Sequence, residues 1–140
     1  MQVQTILAFG GHSEAAIKFY TEALGAELIV MMRWKDSPDP ALRTASSDPE
    51  KIMHAAFRIG DTTLMATDGV ETLKQPDFKG CTLAIEAKDD AEAKQLFAAL
   101  SNGGQVQMPL AKTFWTSLSG MVVDRFGVSW MVNVASEAQK

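Results

Sequence analysis

Two stretches of this chain carry the same order of elements, and that repetition restricts the fold more than any single motif does. Residues 2–9, QVQTILAF, begin with alternation and become continuously apolar, which reads as a strand ending at Gly10-Gly11. From Ser13 to Leu24 the residues Ala16, Phe19, Tyr20, Ala23 and Leu24 recur at helical spacing; Ser13 is placed to cap this helix and Gly25 to stop it in a left-handed turn. Strands are expected at 26–34 (AELIVMMRW), 52–59 (IMHAAFRI) and 62–67 (TTLMAT), with Gly60-Asp61 as a tight hairpin turn between the last two. The segment KDSPDPALRTASSDPEK concentrates proline, Asp, Ser and Thr, so it reads as an irregular surface excursion.

After a polar loop, DGVETLKQPDFKG, the order repeats. CTLAIEA is a strand, Asp89 and Glu92 make a capping box, and the helix that follows carries Ala93, Leu96, Phe97 and Leu100 on one face. Asn102-Gly103-Gly104 ends that helix, QVQMPL continues as a short strand, and residues 113–118 and 119–123 lead into a final strand at 128–135. Superposing the halves puts Phe19 over Leu96 and Thr5 over Thr82 at an offset of 77 residues, which shrinks to 66 where Met65 meets Met131 because the second loop is shorter. Each half reads βαβββ, at 2–67 and 81–135, within one domain spanning 1–140. Two half-buried four-stranded sheets that cannot close alone pack or curl together.

A chain of 140 residues buries somewhat over about 60% of its unfolded surface, enough to need no disulfide staple. Its one cysteine, Cys81, cannot bridge internally, which suits a reducing cytoplasm. The start, MQVQTILAFGG, lacks a basic segment followed by a long apolar run, and no window has the apolar length of a membrane span, so neither secretion nor a membrane is expected. Thirteen Lys and Arg against 17 Asp and Glu give a net charge of −4 without basic runs, which argues against a nucleic-acid partner.

The AFGG stretch at 8–11, Phe19-Tyr20, LGAEL at 24–28, and the C-terminal run from Thr113-Phe114-Trp115 through Asp124-x-Phe126-Gly127-x-x-Trp130-Met131-x-Asn133 together resemble the PhnB-like branch of the vicinal oxygen chelate superfamily. That superfamily includes glyoxalase I, extradiol dioxygenases and bleomycin resistance proteins. The resemblance spans nearly the whole chain. It implies an α+β, glyoxalase-like fold in which two βαβββ modules form a curved, cupped mixed sheet, in a homodimer whose chains abut or exchange modules. Metal and substrate sit in the cup of such proteins.

In the metal-dependent members the ligands come from the first and last strand of each module. Carried over by position, these places hold Thr5 (or Gln4), Met65, Thr82 and Met131, none of them the His or Glu that a divalent ion of this kind requires. No metal and no cofactor is therefore expected. The two histidines, His12 and His54, would need Glu14 or Asp124 to build a two-His, one-carboxylate site, and nothing in their spacing demands it; His12 reads more simply as a turn residue before the helix. AFGGHSEAA lacks the Lys and Ser/Thr of a P-loop and the third glycine of a dinucleotide loop, so it reads as a plain strand-to-helix turn, and no methyl-donor site is visible. Cys81, Ser117 and Ser119 lack the partners of a nucleophile, and no catalytic residue can be assigned.

What is left for function is aromatic and thioether surface. Trp34, Phe57, Met65, Phe114, Trp115, Met121, Trp130 and Met131 are all expected on strands, which present alternate residues to a concave face. The candidate ligand-binding set is His54, Thr113 and Trp115 with Trp34, Met65, Met121 and Met131, a lining suited to a flat apolar or aromatic small molecule. The expectation is a metal-free small-molecule-binding protein; a divalent-metal-dependent lyase, isomerase or dioxygenase and an interaction-only dimer are the alternatives. Asp124, first in a turn whose fourth residue is Gly127, reads as turn chemistry rather than catalysis.

Overall fold

Helix α1 (Ser13–Leu24) follows β1 (Ile6–Ala8) and buries Ala16, Phe19 and Tyr20, as its periodicity marks out, together with Ile17, while Ala23 and Leu24 are half-buried. Gly25 ends it at a φ of 69°, its N–H donating to Thr21 O while Ala26 N–H donates to Tyr20 O, so two terminal carbonyls are satisfied. The computed structural model describes residues 1–71 and 76–135, in two units, Met1–Pro76 and Asp77–Lys140. Of the polar loop at 68–80, residues 72–75 lie outside the described residues.

The start of α1 departs from expectation. Ser13 is the first helical residue rather than the cap, and its buried Oγ has no hydrogen-bond partner. The capping is done by a residue 55 positions away: Asp68 Oδ1 accepts from Gly11 N at 3.0 Å and from Ser13 N at 2.9 Å, and its Oδ2 accepts from Ile52 N at 2.8 Å. A carboxylate at the end of one strand thus closes the glycine turn, the helix start and the start of another strand, and it is only 3% exposed. Three charge-assisted N–H bonds offset the desolvation of a buried carboxylate.

In the first unit β1, β2 (Glu27–Arg33), β3 (Ile52–Ile59) and β4 (Thr62–Thr67) form a mixed sheet in the order β1-β4-β3-β2, with β1 parallel to β4 and the other pairs antiparallel. Leu7, Leu64, Ala66, Ala55 and Phe57 are buried, and Phe57 stacks on Tyr20 of α1 at 6.0 Å. β1 is shorter than the stretch 2–9; beyond its ends Thr5 O and Phe9 N also bond to β4. Gly60, with a φ of 56°, takes the first position of the two-residue β3–β4 turn.

The second unit repeats the plan with β5 (Thr82–Ala87), α2 (Asp90–Ser101), β6 (Gln105–Ala111), β7 (Ser119–Val123) and β8 (Ser129–Val134), in the order β5-β8-β7-β6 with β5 parallel to β8. Asp89 Oδ1 accepts from Glu92 N at 2.8 Å, the expected cap, while the Glu92 carboxylate accepts from Lys88 N rather than from the cap residue itself. α2 buries Ala93, Phe97 and Leu100. Phe97 lies so close to β7 that a Cβ on Gly120 would stand 2.8 Å from its ring and 2.9 Å from Met108 O, which is why a glycine interrupts the apolar strand there.

Three placements differ from the sequence reading. Residues 112–118 form a loop rather than a strand, so Thr113, Phe114 and Trp115 are not strand residues. Trp34 opens a short 3-10 turn, Trp34–Asp36, where the β2–β3 register shifts between Met32 and Arg33. The final strand is trimmed to Ser129–Val134.

Candidate functional site

Each sheet has one face against its helix and one that the helix leaves free. Cross-strand partners point to the same side, so the register lists the residues of the free faces. In the first unit this face holds Ile6, Met65, Ala56 and Val30 in one row across four strands, with His54 and Met32 paired beside it. His54, two residues before Ala56 on β3, is thereby placed on the helix-free side with Met65.

The second unit is more regular. Its free face consists of three rows across β5, β8, β7 and β6: Thr82, Ser129, Val123 and Gln105; then Ala84, Met131, Met121 and Met108; then Glu86, Asn133, Ser119 and Ala111. Met121 and Met131 are direct partners, and Met108, on the edge strand and 56% exposed, extends them into a thioether strip. Such a strip is apolar, polarisable and adaptable in shape, and sulfur packs favourably on aromatic rings.

The remaining site candidates fall elsewhere. Trp34 is buried, and its Nε1 donates to Gly69 O at 3.1 Å, so its indole is committed to holding the chain after β4. Thr113 turns its loop back on itself, its Oγ1 accepting from Thr116 N at 3.2 Å, while Thr116 Oγ1 donates to Val134 O at 2.6 Å and fixes the loop to the end of β8. This loop holds up Phe114 and Trp115, packed edge to face at 4.8 Å and respectively 97% and 43% exposed. Met108, Glu86, Asn133 and Ser119 also lie on the free face of the second unit, outside the candidate ligand-binding set. Asn133 closes the C-terminal motif, and strand alternation from Met131 would have found it.

The donor set does not fit the divalent ion that this fold carries in other proteins. Met65 is flanked by Ile6 and Ala56, and Met131 by Ala84 and Met121, so a side chain bearing imidazole or carboxylate is missing at each pair. Among the described residues no three His, Cys, Asp or Glu side chains converge. A polar cavity of about 360 Å³ does open beside the start of α1, lined by Glu14, Arg33, Glu50, Lys51 and Asp68 among others. Its groups are already engaged. Arg33 pairs with Glu14 and donates to Glu50 O, Lys51 Nζ donates to Gly11 O at 3.0 Å, and Asp68 holds three backbone N–H groups. Lys35 donates to the Glu50 carboxylate at 2.9 Å, and that bond and charge raise its ammonium pKa above the ordinary value.

Two βαβββ units with these sheet orders define the glyoxalase-like fold of the vicinal oxygen chelate superfamily, and the chain falls in its PhnB-like branch. It belongs to the family described as 3-demethylubiquinone-9 3-methyltransferase, whose model matches residues 1–133. It is 32% identical over 144 residues to protein YjdN of Escherichia coli (strain K12), covering 98% of this chain and 97% of that protein. The crystal structure of protein PA1353 from Pseudomonas aeruginosa matches at 41% identity and a TM-score of 0.83, over 96% of this chain and 97% of that one. A PhnB protein from Bacillus cereus shares the fold at 24% identity and a TM-score of 0.79, over 96% of this chain and all of that one.

Proposed function

We propose that this protein binds a small apolar or aromatic molecule on the helix-free faces of its sheets, without a metal, and works as a cytoplasmic homodimer. The observation that carries this reading is the Met108–Met121–Met131 strip, an apolar surface in which Met131 stands at a strand position where a metal-binding relative needs a ligand. Binding without chemistry, as in sequestration of a toxic compound, asks only for such a surface.

The family description suggests methyl transfer, and the alternative of a metal-dependent enzyme follows from the superfamily. Neither finds supporting residues. The glycine turn Gly10-Gly11, the one segment with the look of a phosphate or cofactor cradle, has its Gly11 and Ser13 N–H groups taken by Asp68, so they cannot receive an anionic cofactor group. The imidazole of His54 has Met32 across from it, with no carboxylate among its register partners to orient it as a base.

A screen of aromatic and alkyl compounds, read by tryptophan fluorescence, tests the proposal. Met131→Lys is expected to weaken the best hit by tenfold or more, since a charge in the strip loses the apolar contact of about 1.5–3 kcal/mol that a methionine side chain supplies. Unchanged affinity in Met131→Lys overturns the placement of the site.

A further inference from the structure

The row beside the methionine strip gives the ligand a polar end. Asn133 lies on β8 between Glu86 of β5 and Ser119 of β7, so three polar side chains stand side by side across the helix-free face. The Asn133 Oδ1 is sealed from water and has no hydrogen-bond partner, one of two such side-chain atoms among the described residues. An acceptor in that state costs about 1–3 kcal/mol, a cost that a donor supplied from outside would remove. Ser119 is buried next to it on β7 and brings a hydroxyl to the same row. Glu86 is exposed, and it is the one charged residue in the three rows of this face. With no cation near it in those rows, the face is set against carboxylates and phosphates and in favour of N–H donors.

We propose that Glu86, Asn133 and Ser119 recognise the ammonium head of an apolar amine whose body lies on Met131, Met121 and Met108. This rests on the binding role proposed above and adds the class of ligand. Residues two apart on a strand are separated by about 6.5–7 Å, so one short amine with a ring can reach both the polar row and the methionine strip. Asn133 Oδ1 and the Glu86 carboxylate accept N–H bonds from the head, and the thioethers pack on the ring.

The test is a titration of the full chain with three probes that share one ring: 2-phenylethylamine, 2-phenylethanol and 3-phenylpropionate. The readout is the nitrogen-15 spectrum, including the side-chain amide of Asn133. The amine should bind about tenfold tighter than the alcohol, the increment expected for a hydrogen bond to a charged group, and should shift the Asn133 amide signals; the carboxylate should bind weakest. Glu86→Gln should remove the preference for amine over alcohol, and Asn133→Ala should weaken the amine about tenfold. Equal binding of amine and alcohol, or a preference that survives Glu86→Gln, overturns the amine inference while leaving the apolar surface in place. Saturable binding of none of the three overturns it as well, and the wider role then stands or falls by its own screen.

Discussion

Replacing Asp68 with alanine is expected to cost about 4 kcal/mol of stability, because three buried N–H groups lose a charged acceptor at once and each orphaned donor carries a penalty of its own. Gly11, Ser13 and Ile52 would each lose the acceptor their N–H groups now use, and the links between α1, β3 and the end of β4 would open together. For a protein of this size such a loss is a large share of the total stability. Urea unfolding followed by circular dichroism measures it. Asp68→Asn should recover part of the loss, since one oxygen remains while the amide nitrogen turns a donor toward a donor. An Asp68→Ala protein within about 1 kcal/mol of the parent would show that the carboxylate is not the clasp described here.

The second unit has its own clasp, and Asp124→Ala is expected to cost about 3 kcal/mol. Asp124 Oδ1 accepts from Phe126 N at 2.8 Å and Val128 N at 3.1 Å, and its Oδ2 accepts from the Trp130 indole at 2.8 Å. Gly127 N closes the turn onto Asp124 O at 3.0 Å, with Gly127 at a φ of 89°. The Asp-x-Phe-Gly-x-x-Trp motif is therefore a folding device: its first and last members bond each other across the β7–β8 turn. Trp130→Phe isolates one bond of the three and should cost about 1–2 kcal/mol, less than Asp124→Ala; the reverse order would mean that packing of the indole outweighs the carboxylate network.

Much of this architecture is legible in the sequence because the signals are local. Apolar residues at helical spacing gave α1 and α2, Gly25 and Asp89 fixed an end of each, and the repeat of element order gave the two-unit fold. What could not be read is what depends on distant pairing. Ser13 has the chemistry of a cap, but Asp68, 55 residues away, occupies the position, and no local rule distinguishes them. Trp115 and Phe114 have strand-forming side chains, yet the Thr113–Thr116 turn and the Thr116 bond to Val134 O draw them into a loop. Trp34 looks like a free aromatic until Gly69 O takes its indole N–H.

The candidate site divides in the same way. Met65, Met121 and Met131 could be named from strand alternation, whereas Glu86, Asn133 and Ser119 become neighbours only when the register of β5, β8 and β7 is known. A strand gives the face of each residue relative to its own neighbours; only the sheet says which residues share it.

The central claim is that this scaffold, which elsewhere in its superfamily holds a divalent ion, serves here as an apolar surface for a small molecule. Elemental mass spectrometry of the purified protein, after incubation with zinc, nickel, manganese and ferrous ions in turn and exhaustive dialysis, tests it most directly. Retention well below one ion per chain is the predicted result. One ion held per chain after dialysis, lost on replacing His54 or Glu86, would contradict it.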